Sequence, residues 1–147
     1  MGVMSYALAI VPLTTERNNL TDMNTETETK KTLNEADLAG FTGSENWYQH
    51  WLGKSLYTDG VKYVADNAGA YWLLDEIAIS QTRPKVKAEG FQVWTLKVDL
   101  EKRRAVLACD DGNGNVVFSK KIEFTDFPLA AITFYYTDST LLLPSEY

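Results

Sequence analysis

Of the two side chains that carry most metal and nucleophilic chemistry, the sequence holds one each, Cys109 and His50. One thiol closes no internal disulfide and builds no cysteine-based zinc site, and a reducing cytoplasm is its natural compartment. A zinc site of the usual kind would have to borrow carboxylates, so neither a metal nor a cofactor is expected. No phosphate-cradling GxxxxGK loop, GxGxxG turn, GxSxG elbow or HExxH helix occurs. No apolar run approaches the roughly 18 residues that a membrane span needs. The opening MGVMSYALAIVPL has a short apolar stretch, Tyr6 to Leu13, but no Lys or Arg before it, which makes it a poor secretory signal. Basic residues are scarce as well, 14 against 20 acids, for a net charge of −6. Direct nucleic-acid binding, which needs a basic footprint to displace counterions, is therefore not expected. A basic protein partner, or mimicry of nucleic acid, stays open.

What the chain does hold is apolar and aromatic: 45% hydrophobic and 12% aromatic residues in 147, enough for one domain with a core of large side chains. Residues 14–32 are polar and Thr-rich, and bury too little surface to offset their ordering entropy. Residues 1–32 are accordingly expected to be loosely ordered, with Met23 an alternative start and the folded domain beginning near Thr32. Charge is banded along the rest: residues 33–82 carry −5, 83–109 carry +4 and 110–147 carry −4. Such a band usually means complementarity within the fold or a solvated strand face.

Two short helices are predicted first. Thr32 with Glu35 and Thr42 with Glu45 read as capping boxes, with Gly40 and Gly53 as stops. Within the second, Trp47, Tyr48, Trp51 and Leu52 share one helical face, with His50 at its flank. A hairpin is expected next, Lys54–Thr58 against Val61–Ala65 around Asp59-Gly60. Asp66 reads as a cap or turn residue. A helix over 70–81 follows, its apolar stripe Ala70, Leu73, Leu74, Ile77 and Ala78, and Pro84 stops anything helical beyond Thr82. From Gly90 the period becomes two. Trp94, Leu96, Val98 and Leu100 share a face; 104–109 and 116–124 follow as strands about the DDGNGN turn; and 132–136 with 141–143 form a hairpin around Asp138-Ser139. Short turns between successive strands mean antiparallel pairing. The class expected is α+β: short N-terminal helices and a small hairpin packed on one face of an antiparallel β-meander of about four to five strands. Trp94, Leu96, Val98, Phe118, Ile122, Phe124 and Phe134 should meet Trp47, Trp51, Leu73 and Ile77 in one core.

Candidate chemistry centres on His50, an imidazole able to move protons near neutral pH if Asp59, Asp75 or Glu76 orients it. Asp75 and Glu76 are neighbours on a helix, so their side chains diverge by about 100° and make no glycosidase pair. DDGNGN lacks the ligand ladder and closing Glu of a calcium loop. Cys109, at a strand end with no activating histidine, reads as a structural thiol. The tyrosines and tryptophans between 47 and 72 are either core or a surface for stacking and protein contact; Trp47, Tyr57 and Trp72 are the ligand-binding candidates. Three readings follow: a non-enzymatic module binding a protein or small ligand, with a homodimer as a variant; a small hydrolase using His50 and a carboxylate; and an acidic inhibitor mimicking nucleic acid.

GSENWYQHWLGKSLYTDGVKYVADNAGAYWLLDEIA, FQVWTL, DDGNGN, IEFTDFPL and the ending LLLPSEY together resemble a family of small bacterial proteins of unknown function, over about residues 33–147. The resemblance implies uncharacterised bacterial genes, some on mobile elements. It transfers no functional residue.

Overall fold

The computed structural model describes residues 33–147, so the expected looseness of 1–32 lies outside the described residues; the first helix is capped by Asn34, whose Oδ1 accepts from Ala36 N at 2.9 Å, and not by the expected Thr32–Glu35 box. Along the chain run α1 (Glu35–Leu38), β1 (Trp47–Gln49), β2 (Leu56–Thr58), α2 (Asp59–Ala68), α3 (Tyr71–Ser80), α4 (Pro84–Lys87), β3 (Phe91–Asp99), β4 (Arg104–Asp110), β5 (Val116–Ile122), β6 (Ala131–Thr137), β7 (Thr140–Leu142) and a 3-10 turn, Pro144–Glu146. The class is α+β, as the patterning predicts, with a larger sheet than expected.

Alternation along β3 buries Gln92, Trp94 and Leu96 and leaves Phe91, Val93 and Thr95 half-exposed. Ala105, Leu107 and Cys109 of β4, and Ile132, Phe134 and Tyr136 of β6, extend that buried face. Against it pack Val61, Val64, Ala65 and Ala68 of α2 with Leu73, Leu74 and Ile77 of α3. Each fully buried aliphatic side chain contributes about 1.5–3 kcal/mol.

Among the described residues the sheet has seven strands in the order β1-β2-β7-β6-β3-β4-β5, and β2 pairs with β7 in parallel. The expected antiparallel meander of four to five strands is thus corrected. β3, β4 and β5 do pair in sequence, and β6 with β7. β6, however, returns beside β3 rather than β5. The return is held by Phe127, fully buried, and by Thr125, whose N–H donates to the Arg103 carbonyl at 2.8 Å.

The expected helix around Trp47–Leu52 is a strand and turn instead. The Asp59 carboxylate accepts from the Glu45 and Asn46 N–H groups at 3.1 and 3.2 Å, taking donors that a helix start would present, and from the Tyr48 hydroxyl at 3.0 Å. β1 then runs antiparallel to β2, around a turn in which Gly53 adopts φ +91°. The hairpin expected at Asp59-Gly60 is likewise absent. Thr58 caps α2, its Oγ1 accepting from Val61 N, so Asp59 and Gly60 open a helix with neither at positive φ. Gly60 is needed for close approach: a Cβ there would lie 2.6 Å from Leu143 Cδ1 and 2.7 Å from a Glu146 oxygen. Asp66 lies inside α2 rather than at a break, and Pro84 starts α4 rather than only ending α3. Trp47, Trp51 and Phe124, expected in the core, are exposed. Trp51 sits on a turn, Trp47 on the short edge strand β1, and Phe124 beyond the end of edge strand β5, where no other described layer reaches them.

Candidate functional site

His50 follows β1 directly and turns its ring inward, where it is 6% exposed. Its Nδ1 accepts from the Leu52 N–H at 3.1 Å, which fixes the hydrogen on Nε2, and Nε2 donates to Asp75 Oδ1 at 2.7 Å. The same Oδ1 accepts from Trp51 Nε1 at 2.8 Å. Asp75 therefore ties two consecutive residues of the β1–β2 turn to α3. Of the three carboxylates considered as partners for His50, it is the one that reaches the ring. Glu76 pairs with Lys120 on β5 at 2.7 Å, and Asp59 holds the 45–48 segment. Burial alone would raise the Asp59 carboxyl, yet bonds from Tyr48 and from the Glu45 and Asn46 backbone hold it below its ordinary value.

The cavity beside the imidazole measures only about 10 Å³, room for about one water. The three aromatic candidates do not converge on it together. Trp47 is 57% exposed on β1; Tyr57 stacks on Tyr48 with ring centres 5.6 Å apart and lines that small void; Trp72 packs half-buried against the core. Cys109 is fully buried and desolvation pushes its thiol up to about 12, far from nucleophilic use. Among the described residues no cluster of three or more His, Cys, Asp or Glu is arranged to hold a metal ion. No helix among them is long and apolar enough to cross a membrane.

Among the described residues a larger concavity borders the β1–β2 turn. It is a groove of about 770 Å³ between that turn, the C-terminal end of α3, the α4–β3 junction and the β6–β7 turn. Ser55 Oγ and Tyr136 Oη, 2.8 Å apart, lie at its base. Beside them is Gln92, 2% exposed and wholly bonded. Its Nε2 donates to Gln81 Oε1 and to the Val86 and Glu89 carbonyls, while its Oε1 accepts from Gln81 Nε2 and Trp94 Nε1, all between 2.8 and 3.2 Å. Leu52, Ala78 and Ile79 supply apolar wall, and Lys54, Lys87, Glu89 and Asp138 bring both signs of charge. Sequence reasoning missed this site. The one signal available was Gln92 itself, a polar residue in phase with Trp94 and Leu96 on the buried face. The convergence of two turns, a helix end and a helix–strand junction carries no local signature.

No curated protein and no solved structure matches the chain. The model of a family of unknown function (DUF6876) matches residues 32–147, nearly the span over which the resemblance was read. By that match, which takes in every described element from α1 to the final 3-10 turn, the chain belongs to this family.

Proposed function

We propose that the chain is a non-enzymatic binding module whose groove takes a small amphipathic molecule, zwitterionic or uncharged. The observation that supports this reading is the groove: at about 770 Å³ it falls within the roughly 300–1,000 Å³ of small-molecule sites. Its base is held by the Gln81–Gln92–Trp94 network and the Ser55–Tyr136 pair, so binding would require little reordering. Leu52, Ala78 and Ile79 offer contact to an apolar body. Lys54, Lys87, Glu89 and Asp138 have no ion-pair partner among the described residues and offer contact to charged ends. A reducing bacterial cytoplasm suits a chain whose single thiol is sealed in the core.

The His50–Asp75 pair is the one observation that favours hydrolysis. A general base, however, must turn a lone pair toward substrate, and the Nδ1 lone pair of His50 accepts from Leu52 N–H. Mimicry of nucleic acid draws little support, because Asp37, Asp59, Asp66, Asp75 and Glu76 are all bonded within the chain.

The test is a two-dimensional amide NMR screen of the full chain against fragments bearing ammonium, carboxylate, both or neither. Shifts are expected at Ser55, Ile79, Gln92 and Ser139, and their loss in Ala78→Trp, which fills the groove. Fragments that perturb nothing there, or that bind Ala78→Trp equally well, would sink the reading. Ester turnover abolished by His50→Asn would move the assignment to hydrolysis.

A further inference from the structure

A sheet has two faces, and the buried core of this one lies on a single side. On the other side point Phe91, Val93 and Thr95 of β3, Thr133 and Tyr135 of β6, and Leu142 of β7. All are half-exposed, none belongs to the buried core, and none is charged. The Phe91 and Tyr135 rings meet at 5.0 Å, and Tyr147, 74% exposed, packs on them at 5.4 and 5.5 Å. This aromatic trio lies over β6 and β3, and β6 is the middle strand of the seven. No other described helix or strand packs on this trio, and rigid aromatic groups near the centre of such a face are the usual anchors of a protein interface.

We propose that the occupant of this face is a second copy of the chain, stacked sheet against sheet. Independently of the groove, three observations lead there. The first is area. Four strands of seven to nine residues, about 24 Å long, and two of three residues, about 10 Å long, at about 4.8 Å spacing present roughly 550 Å² per copy, or about 1,100 Å² for the pair, just past the about 1,000 Å² that a biological interface should clear. α1 flanks the Ala131 end of the face and bounds the contact there.

The second is charge. Lys97, Arg104 and Lys121 with Asp99 and Glu123 lie at one end of the outward face, a net +1, while Asp110 marks the opposite end with Asp111 beyond it. None of those three cations has an ion-pair partner among the described residues. A two-fold axis in the interface plane, running across the strands, lays the cationic end of each copy over the acidic end of the other. The third is that the alternative route to pairing, strand edge to strand edge, is blunted. β1 has only three residues, and β5 carries Lys120 and Lys121 beside a register shift at Cys109/Asp110.

The experiment is sedimentation equilibrium of the full chain over about 1–100 μM, at low and high salt. Wild type is expected at twice its 16.6 kDa mass, with salt weakening the association. Tyr135→Glu and the milder Thr133→Lys are each expected to raise the dimer Kd by at least about 10-fold, with unchanged circular dichroism. Lys97→Glu with Lys121→Glu weakens it as well, whereas the groove variant Ala78→Trp leaves it as it was. A monomer at every concentration overturns the proposal. So does a dimer that Thr133→Lys and Tyr135→Glu both leave at wild-type affinity, since its contact must then lie elsewhere.

Discussion

His50 carries a donor and an acceptor into a place that water barely reaches, and both are bonded. Its replacement by Phe keeps most of the volume and strands two groups: the Leu52 N–H loses its acceptor and Asp75 loses one donor. A hydrogen bond to a charged group contributes about 1.5–3 kcal/mol and less where water can replace it; both bonds are part-buried, so His50→Phe is expected to lose about 1–2 kcal/mol in urea unfolding. Trp51→Phe removes a bond to the same Asp75 oxygen at a site 73% exposed, and water replaces it, so its loss should stay below about 1 kcal/mol. Equal losses in the two variants would mean that burial does not set the value of these bonds. The residue was legible in the sequence as one in need of a carboxylate. That Asp75 rather than Asp59 or Glu76 would supply it was not. The choice depends on how the β1–β2 turn lands on α3, a contact between segments 25 residues apart.

Among the elements, α3 and β3 could be read from their periods, and β4 and β5 from the DDGNGN turn between them. α2 could have been. Val61, Val64, Ala65 and Ala68 recur at i, i+3, i+4 and i+7 behind a capping Thr58, and the Asp59-Gly60 dipeptide masked that stripe. The hairpin expected around Asp138-Ser139 does form, with φ of 52° and 58° where β6 and β7 reverse tightly. Asp59 joins the elements its dipeptide seemed to divide, since its carboxylate gathers the 45–48 segment onto the start of α2. A pH signature follows. Its folded value lies below its unfolded one, so its contribution is complete above the unfolded value, about 3.9, and is lost as pH falls through the folded value. Asp59→Asn is therefore expected to melt below wild type at neutral pH, with the difference shrinking under strong acid. Thermal melts in the two conditions check this, and a gap of constant size would mean that the charge on Asp59 is not what holds the junction.

The whole sheet joins segments from both ends of the described chain, Leu56 beside Thr140 and Tyr57 beside Leu141. No periodicity announces such a pairing, because it depends on which strand edge is left open after β6 has returned to β3. One side chain fastens it. Glu146 accepts from Thr58 Oγ1 at 2.6 Å, from Gly60 N at 3.1 Å and from Leu143 N at 2.9 Å, placing a carboxylate at the N-terminus of α2, where the helix dipole favours it. β3 is bonded on both sides and contributes the fully buried Trp94, while among the described strands β1 and β5 are bonded on one side only. Protection against hydrogen exchange should follow that arrangement. Amides of β3 and β6 are expected to exchange only through global unfolding, and those of β5 and β1 through local opening. Glu146→Ala then becomes a test of how the sheet divides. If the β1–β2–β7 side is fastened chiefly through Glu146, exchange should accelerate in β1, β2, β7 and the first turn of α2, while β3 and β4 stay as protected as before. If every strand accelerates by the same factor, the seven strands open as one cooperative unit, and Glu146 adds to the global stability rather than to that side of the sheet.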